Sequence, residues 1–330
     1  MPSFKKMKKR VKKKNSGLSS GRGATVTRNS IPLCKILTSD NLHLAEIPDE
    51  SVDLVVTSPP YFNVMDYHKH IKGDKSERYR VTRTPDFERD YRAFLSDVTA
   101  RMKSVFRVLK IGGHAALVLG TSIVQEENGR SRHAPFPFDV VSEATTILDF
   151  MFQECIVWNK TTAGAKRFGV FIQHPKPGYY YPNLITEYIM ILRKPWLENP
   201  AGDISFRRDD AEEIEITEVM KKDTANSLWT MAPVPPNVAK KLGHPCPFPP
   251  DLVKRIIELY SHRRGVVLDP WCGCGIALQV ANDLGRKYIG YDIEEKYCKL
   301  ARKLVNVKPK YRVQHLVPQY NLIGGESCDS

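Results

Sequence analysis

Short apolar runs recur along this chain, each ended by turn-forming or charged residues. Val52-Asp53-Leu54-Val55-Val56 is β-branched and brief, as expected of a buried central strand in an α/β sheet. Comparable runs lie at 115–120, 155–158, 187–193, 266–269 and 288–291. Helical patterning separates them, at 88–109, at 251–260 and from Ile276 to Leu284. In 251–260 the apolar residues Leu252, Val253, Ile256, Ile257 and Tyr260 keep helical spacing, so that stripe is core packing rather than a site. Strands alternating with helices predict a mostly parallel, doubly wound sheet.

Two strand ends carry the candidate chemistry. The first strand runs into Thr57-Ser58-Pro59-Pro60-Tyr61. Neither proline can donate an N–H, so the ladder stops there and the backbone is fixed. The turn offers a hydroxyl, a fixed carbonyl and a flat ring, a set suited to a planar base bearing an amino group. A plain structural turn is the other reading. The second end is Val266-Val267-Leu268-Asp269, followed by Pro270-Trp271-Cys272-Gly273-Cys274-Gly275 and a helix. Strand, Gly-x-Gly turn and helix form a ligand-binding opening in which glycines let the backbone approach the ligand. Asp292 ends the next strand, about 20 residues beyond Gly273, where an acid meets ribose hydroxyls. Leu278 stands where a dinucleotide fingerprint has its third glycine. A nucleoside without a pyrophosphate is the better match.

In this order the chain resembles the permuted (beta) class of DNA amino-methyltransferases. That family places a Ser/Asp/Asn-Pro-Pro-Tyr/Phe motif first and an Asp-Pro-Phe-x-Gly-x-Gly motif near the C-terminus. Further segments fit the resemblance: Val108 to Gly113, Ile156-Val157-Trp158-Asn159-Lys160, Glu187 to Lys194, Trp229, and His244-Pro245-Cys246-Pro247-Phe248. Trp271, Cys274 and Ile276 depart from the usual Phe, Ser and Thr. The resemblance implies a Rossmann-like methyltransferase fold with circularly permuted motifs and S-adenosylmethionine as cofactor. It assigns Ser58, Pro59, Pro60 and Tyr61 to catalysis. Asp40, His244, Pro245, Phe248, Asp269, Pro270, Trp271, Gly273, Gly275 and Asp292 would hold the donor, Asp40 as the weaker candidate. No metal is expected. Ser58 and the Pro59 carbonyl would accept the amino hydrogens of a flipped base, and Tyr61 would stack on it. Serine at the motif head is more typical of N4-cytosine members, so cytosine N4 is the expected target and adenine N6 the alternative. RNA or protein acceptors, or a catalytically silent DNA-binding relic, are weaker alternatives. Cys246 lies in the donor-side segment rather than at the catalytic strand end, which argues against C5-cytosine chemistry.

Composition adds a charge asymmetry. The chain has 330 residues and a net charge of +13. Residues 1–30 hold ten Lys/Arg and no acid, leaving 40 basic against 37 acidic residues elsewhere. That segment is expected to be a disordered basic arm with salt-sensitive affinity for DNA. Residues 31–307 are then one catalytic domain, with a catalytic half (31–195), a target-recognition insert (196–243) and a cofactor-binding half (244–307), followed by a C-terminal extension (308–330). Between the motifs, Lys69, Lys72, Arg78 and Arg80 in one loop and Lys166 and Arg167 in another are candidate DNA contacts. The expected partner is double-stranded DNA, with a cognate restriction enzyme as a companion. No run approaches the length of a membrane span, and the N-terminus lacks a signal-peptide pattern. The seven cysteines read as reduced thiols. The expected location is the cytoplasm at the nucleoid in a prokaryote, or the nucleus in a eukaryote.

Overall fold

The structure, a computed structural model, describes residues 33–62, 83–128, 131–160, 177, 184–195 and 220–307. Among them an eight-stranded sheet takes the spatial order β1 (Lys35–Thr38), β11 (Lys287–Asp292), β10 (Val266–Asp269), β2 (Val52–Thr57), β4 (Leu109–Leu119), β8 (Thr186–Arg193), β7 (Met151–Asn159) and β9 (Leu228–Thr230). Pairing is parallel from β1 through β4. β8 then runs antiparallel to both β4 and β7, and β9 is parallel to β7. A small second sheet joins β3 (Arg83–Thr84), β5 (Ser122–Glu126) and β6 (Ser131–Ala134). The helices are α1 (Phe87–Val108), α2 (Phe136–Thr146), α3 (Pro236–Leu242), α4 (Pro250–Tyr260), α5 (Ile276–Asp283) and α6 (Glu295–Val305).

Side chains alternate across the strands, and each face has its own core. Val55, Ala115, Leu117 and Leu192 point to the face covered by α1 and α2. Leu54, Val56, Ala116, Val118 and Ile191 point to the opposite face, covered by α3, α4 and α5. Leu252, Val253, Ile256 and Ile257 of α4 are fully buried, as their spacing predicts. At the head of α1, the Asp86 side chain accepts the Arg89 N–H at 3.1 Å, and Glu88 and Asp90 lie in the first turn. The sheet is mostly parallel and doubly wound with one antiparallel strand, as the motif order implied.

Two strands are longer than their apolar runs. β4 starts at Leu109, because Gly112 and Gly113 make an irregularity within the strand rather than a loop before it. Gly112 has φ +76°, and its N–H donates to Lys194 O at 2.9 Å, so the edge stays bonded through the kink. β7 starts at Met151, where four successive exposed residues erase the alternation that marks a strand. Within the segment expected as a target-recognition insert, β9 is an edge strand of the main sheet and its Trp229 is wholly buried.

Candidate active site

β2 continues through α1 to β4 on one side, whereas β10 continues through α5 to β11 on the other. Strand order therefore reverses between β2 and β10, and open α/β sheets bind ligands beyond the strand ends at such a point. Leu54 pairs with Val267 and Val55 with Leu268, which brings Thr57 and Asp269 side by side. Thr57 Oγ1 donates to Asp269 Oδ1 at 2.6 Å, with both side chains sealed from solvent. The same oxygen accepts the Trp271 N–H at 3.2 Å. One buried bond thus joins the two candidate motifs.

Burial pushes Asp269 up to about 7, with the Thr57 hydroxyl and the Trp271 N–H opposing and Asp292 adding to the rise. Because the folded value is raised, the neutral carboxyl favours the fold. That contribution is complete below about pH 4. It is lost as pH rises through about 7. The neutral isostere Asp269→Asn should lack this slope. Its stability relative to wild type is expected to increase between pH 5 and 8 by on the order of a few kcal/mol. Denaturant titrations at the two pH values check this, and equal differences at both would contradict it.

The turn after β10 depends on two glycines. Gly273 has φ +50° and Gly275 has φ +85°, a region that side chains disfavour. A Cβ on Gly273 would stand 2.6 Å from His244 Nε2, and one on Gly275 would stand 2.6 Å from Ala301 Cβ. The first glycine admits the His244 segment and the second admits α6. Asp292 Oδ2 accepts the Gly273 N–H at 3.0 Å, and its Oδ1 accepts the Glu294 N–H at 2.9 Å. Burial nevertheless raises its pKa above the ordinary carboxylate range. The His244 ring meets Tyr297 edge-on at 4.9 Å, and Phe248 packs against the α3/α4 core. Pro245 and Trp271 are half-buried beside them. Asn41 Nδ2 donates to Pro270 O. Its neighbour Asp40 is exposed and bound to Arg101, whose hydrogen bond holds its carboxyl below the usual range.

At the end of β2, Pro59 is buried, and Ser58, Pro60 and Tyr61 are half-buried. The Tyr61 hydroxyl donates to Val118 O at 3.3 Å and lies 3.5 Å from Ser58 Oγ. A Cβ on Gly120, just past β4, would come within 2.8 Å of Tyr61 Cε2, so the ring lies flush against bare backbone. Phe62 anchors the turn in an aromatic cluster, 5.3 Å from both Tyr91 and Phe94. Nearby, Lys160 Nζ, just past the end of β7, and Glu187 Oε1, at the start of β8, form an ion pair at 2.6 Å. The Ser58–Tyr61 turn and the Asp269–Gly275 turn lie at adjacent strand ends, with Asp292 bonded to Gly273, His244 against Gly273, and Asp40 paired with Arg101. Lys69, Lys72, Arg78, Arg80, Lys166 and Arg167 lie outside the described residues, as do the basic arm and the C-terminal extension. Thr57, Asn41 and Gly120 carry no sequence motif of their own. Thr57 was legible only as the hydroxyl residue before Ser58. No helix of the described residues is long and apolar enough to cross a membrane.

The reversed strand order and the two bonded strand ends define a Rossmann-like α/β sheet with its ligand opening between β2 and β10. Residues 52–303 match the family model described as DNA methylase, and the chain belongs to that N6/N4 amino-methyltransferase family. It is similar to the type II methyltransferase M.MjaI of Methanocaldococcus jannaschii, at 26% identity over 84% of this chain and 92% of the relative. It is also similar to the type II methyltransferase M.BglII of Bacillus subtilis, at 28% identity over 84% of this chain and 70% of the relative. Among solved structures, a candidate DNA modification methylase of Thermus thermophilus, complexed with S-adenosyl-L-methionine, aligns with a TM-score of 0.60. The identity there is 26%, over 81% of this chain and 92% of that one.

Proposed function

We propose that this DNA methyltransferase uses S-adenosylmethionine to methylate the exocyclic N4 of a flipped cytosine in duplex DNA. The observation that carries the reading is the Thr57–Asp269 bond, which fixes the Ser58-Pro59-Pro60-Tyr61 turn beside the glycine turn after β10. The site suits a nucleoside donor. A Cβ at Gly273 would collide with His244, and Asp292, half-buried at the adjacent strand end and bonded to the Gly273 N–H, would meet the ribose hydroxyls. His244, Pro245, Phe248, Pro270, Trp271, Gly275 and Asp269 would complete its walls. When bound, the donor supplies an electrophilic methyl on a sulfonium.

The chain's own residues do the rest. An aromatic amino group is a poor nucleophile because its lone pair is delocalised into the ring. Accepting hydrogen bonds from its two N–H groups at Ser58 Oγ and the Pro59 carbonyl draws the nitrogen toward tetrahedral geometry and frees the lone pair, and one of those protons leaves as the new N–C bond forms. Pro60 fixes that carbonyl. Tyr61, seated on Gly120 and held at its hydroxyl by Val118 O, offers its ring to the flipped base, a contact worth about 1–3 kcal/mol. Rigid placement of both reactants contributes much of the acceleration.

The serine head favours cytosine over adenine. Digesting DNA methylated by the protein and resolving the nucleosides by mass spectrometry tests this. N4-methylcytosine is the expected product. N6-methyladenine alone would overturn the choice of base and leave the DNA methyltransferase assignment standing.

A further inference from the structure

A hydroxyl donates one hydrogen bond as well as accepting others, so Ser58 can hold an amino group only if its own proton is placed elsewhere. A carboxylate or an amide carbonyl at the head of such a motif carries no proton on its acceptor and has no such need. A Ser58 proton turned toward the amino nitrogen would bond the lone pair that must attack the methyl. The rotor of this one hydroxyl therefore decides whether the group helps or hinders transfer.

The structure gives that proton a destination. Ser58 Oγ donates to Tyr61 Oη at 3.5 Å, and among the described residues this is its one hydrogen bond. The separation is long for an O–H···O bond, as catalytic contacts often are before substrate tightens them. Tyr61 Oη spends its own proton on Val118 O at 3.3 Å, which leaves its lone pairs to accept from Ser58. The β2–β4 ladder ends at the Thr57–Leu117 pair, and Pro59 has no N–H to carry it further, so a side chain takes up the next carbonyl.

Packing, rather than Ser58, sets where the Tyr61 hydroxyl lies. A Cβ on Gly120 would come within 2.8 Å of Tyr61 Cε2 and 3.4 Å of its Cζ. The Phe136 ring stands 6.3 Å from the Tyr61 ring, tilted by 58°. Both residues between Ser58 and Tyr61 are prolines, whose φ is fixed, so the turn itself holds the two hydroxyls in register.

We infer that Tyr61 orients Ser58: its hydroxyl takes the Ser58 proton and turns the Ser58 lone pairs toward the target amino group. Tyr61 then has two separable roles, its ring against the base and its oxygen as a positioning group acting through Ser58. This rests on the reading above that Ser58 accepts from the amino group, and it holds whether the base is cytosine or adenine.

The test is a double-mutant cycle on the full chain, with labelled S-adenosylmethionine and unmethylated duplex DNA. It compares wild type, Tyr61→Phe, Ser58→Ala and the double variant. Tyr61→Phe keeps the ring and removes one oxygen, and thermal melts verify that each variant folds. Single-turnover transfer by Tyr61→Phe is expected to fall about 5- to 10-fold, with donor affinity and the KM for DNA within about twofold of wild type. In the Ser58→Ala background the same change is expected to cost less than about twofold, because the group it positions is gone. Transfer by Tyr61→Phe at the wild-type rate would overturn the inference. So would an equal loss in both backgrounds, which would place the Tyr61 oxygen on the base or on the fold rather than on Ser58. A Ser58→Ala protein as fast as wild type would instead overturn the reading of Ser58 on which the inference rests.

Discussion

Ser58→Ala is expected to slow methyl transfer by about 10²–10³-fold, comparable to deleting one preorganised hydrogen-bonding group at a reacting centre. Donor affinity should stay within about twofold of wild type, because only this base-side group is lost. Ser58 stands at the strand end but outside the buried bond: Thr57, not Ser58, holds Asp269. Deleting the Ser58 hydroxyl therefore leaves the β2–β10 junction intact and removes one acceptor for the amino group. Single-turnover rates beside calorimetry of donor binding separate the two effects. A loss below about threefold would remove Ser58 from the chemistry.

The second large effect is structural. Gly275 has φ +85°, and a Cβ there would lie 2.6 Å from Ala301 Cβ and 2.9 Å from its Cα. The second contact is with backbone, so α6 itself would have to move. Left-handed strain costs about 1–3 kcal/mol. Overpacking costs a further 1–3 kcal/mol, approximately. Gly275→Val should therefore lower the melting temperature by roughly 10 °C and abolish measurable donor binding. Adding Ala301→Gly should restore part of the stability, since it removes one clash and leaves the strained φ. A Gly275→Val protein that melts and binds like wild type would contradict the account of this turn.

The fold was legible wherever strands were apolar and short. β10 is buried throughout and β2 and β11 are buried over most of their length, so their sequences read as short, largely apolar runs between turn residues. β1 was not legible, because Lys35–Thr38 lies at the sheet edge with two of its four residues exposed. β5 and β6 belong to a small separate sheet of largely polar sequence and were likewise missed. The candidate site was legible where chemistry fixes residue type, at Ser58-Pro59-Pro60-Tyr61, Gly273, Gly275 and Asp292. It was not legible where long-range packing decides. Thr57 matters because Asp269 is its neighbour across the sheet, 212 residues away in sequence. Gly120 matters because the Tyr61 ring lies on it. Asp40, the weaker donor candidate, is paired with Arg101, a partner its local sequence does not reveal.

The most direct measurement offers labelled S-adenosylmethionine to the full chain with unmethylated duplex DNA, RNA or protein as competing acceptors. The account predicts label in DNA, carried by the amino nitrogen of a base and absent from the other two. Label in RNA or protein but none in DNA, with donor binding intact, would contradict it.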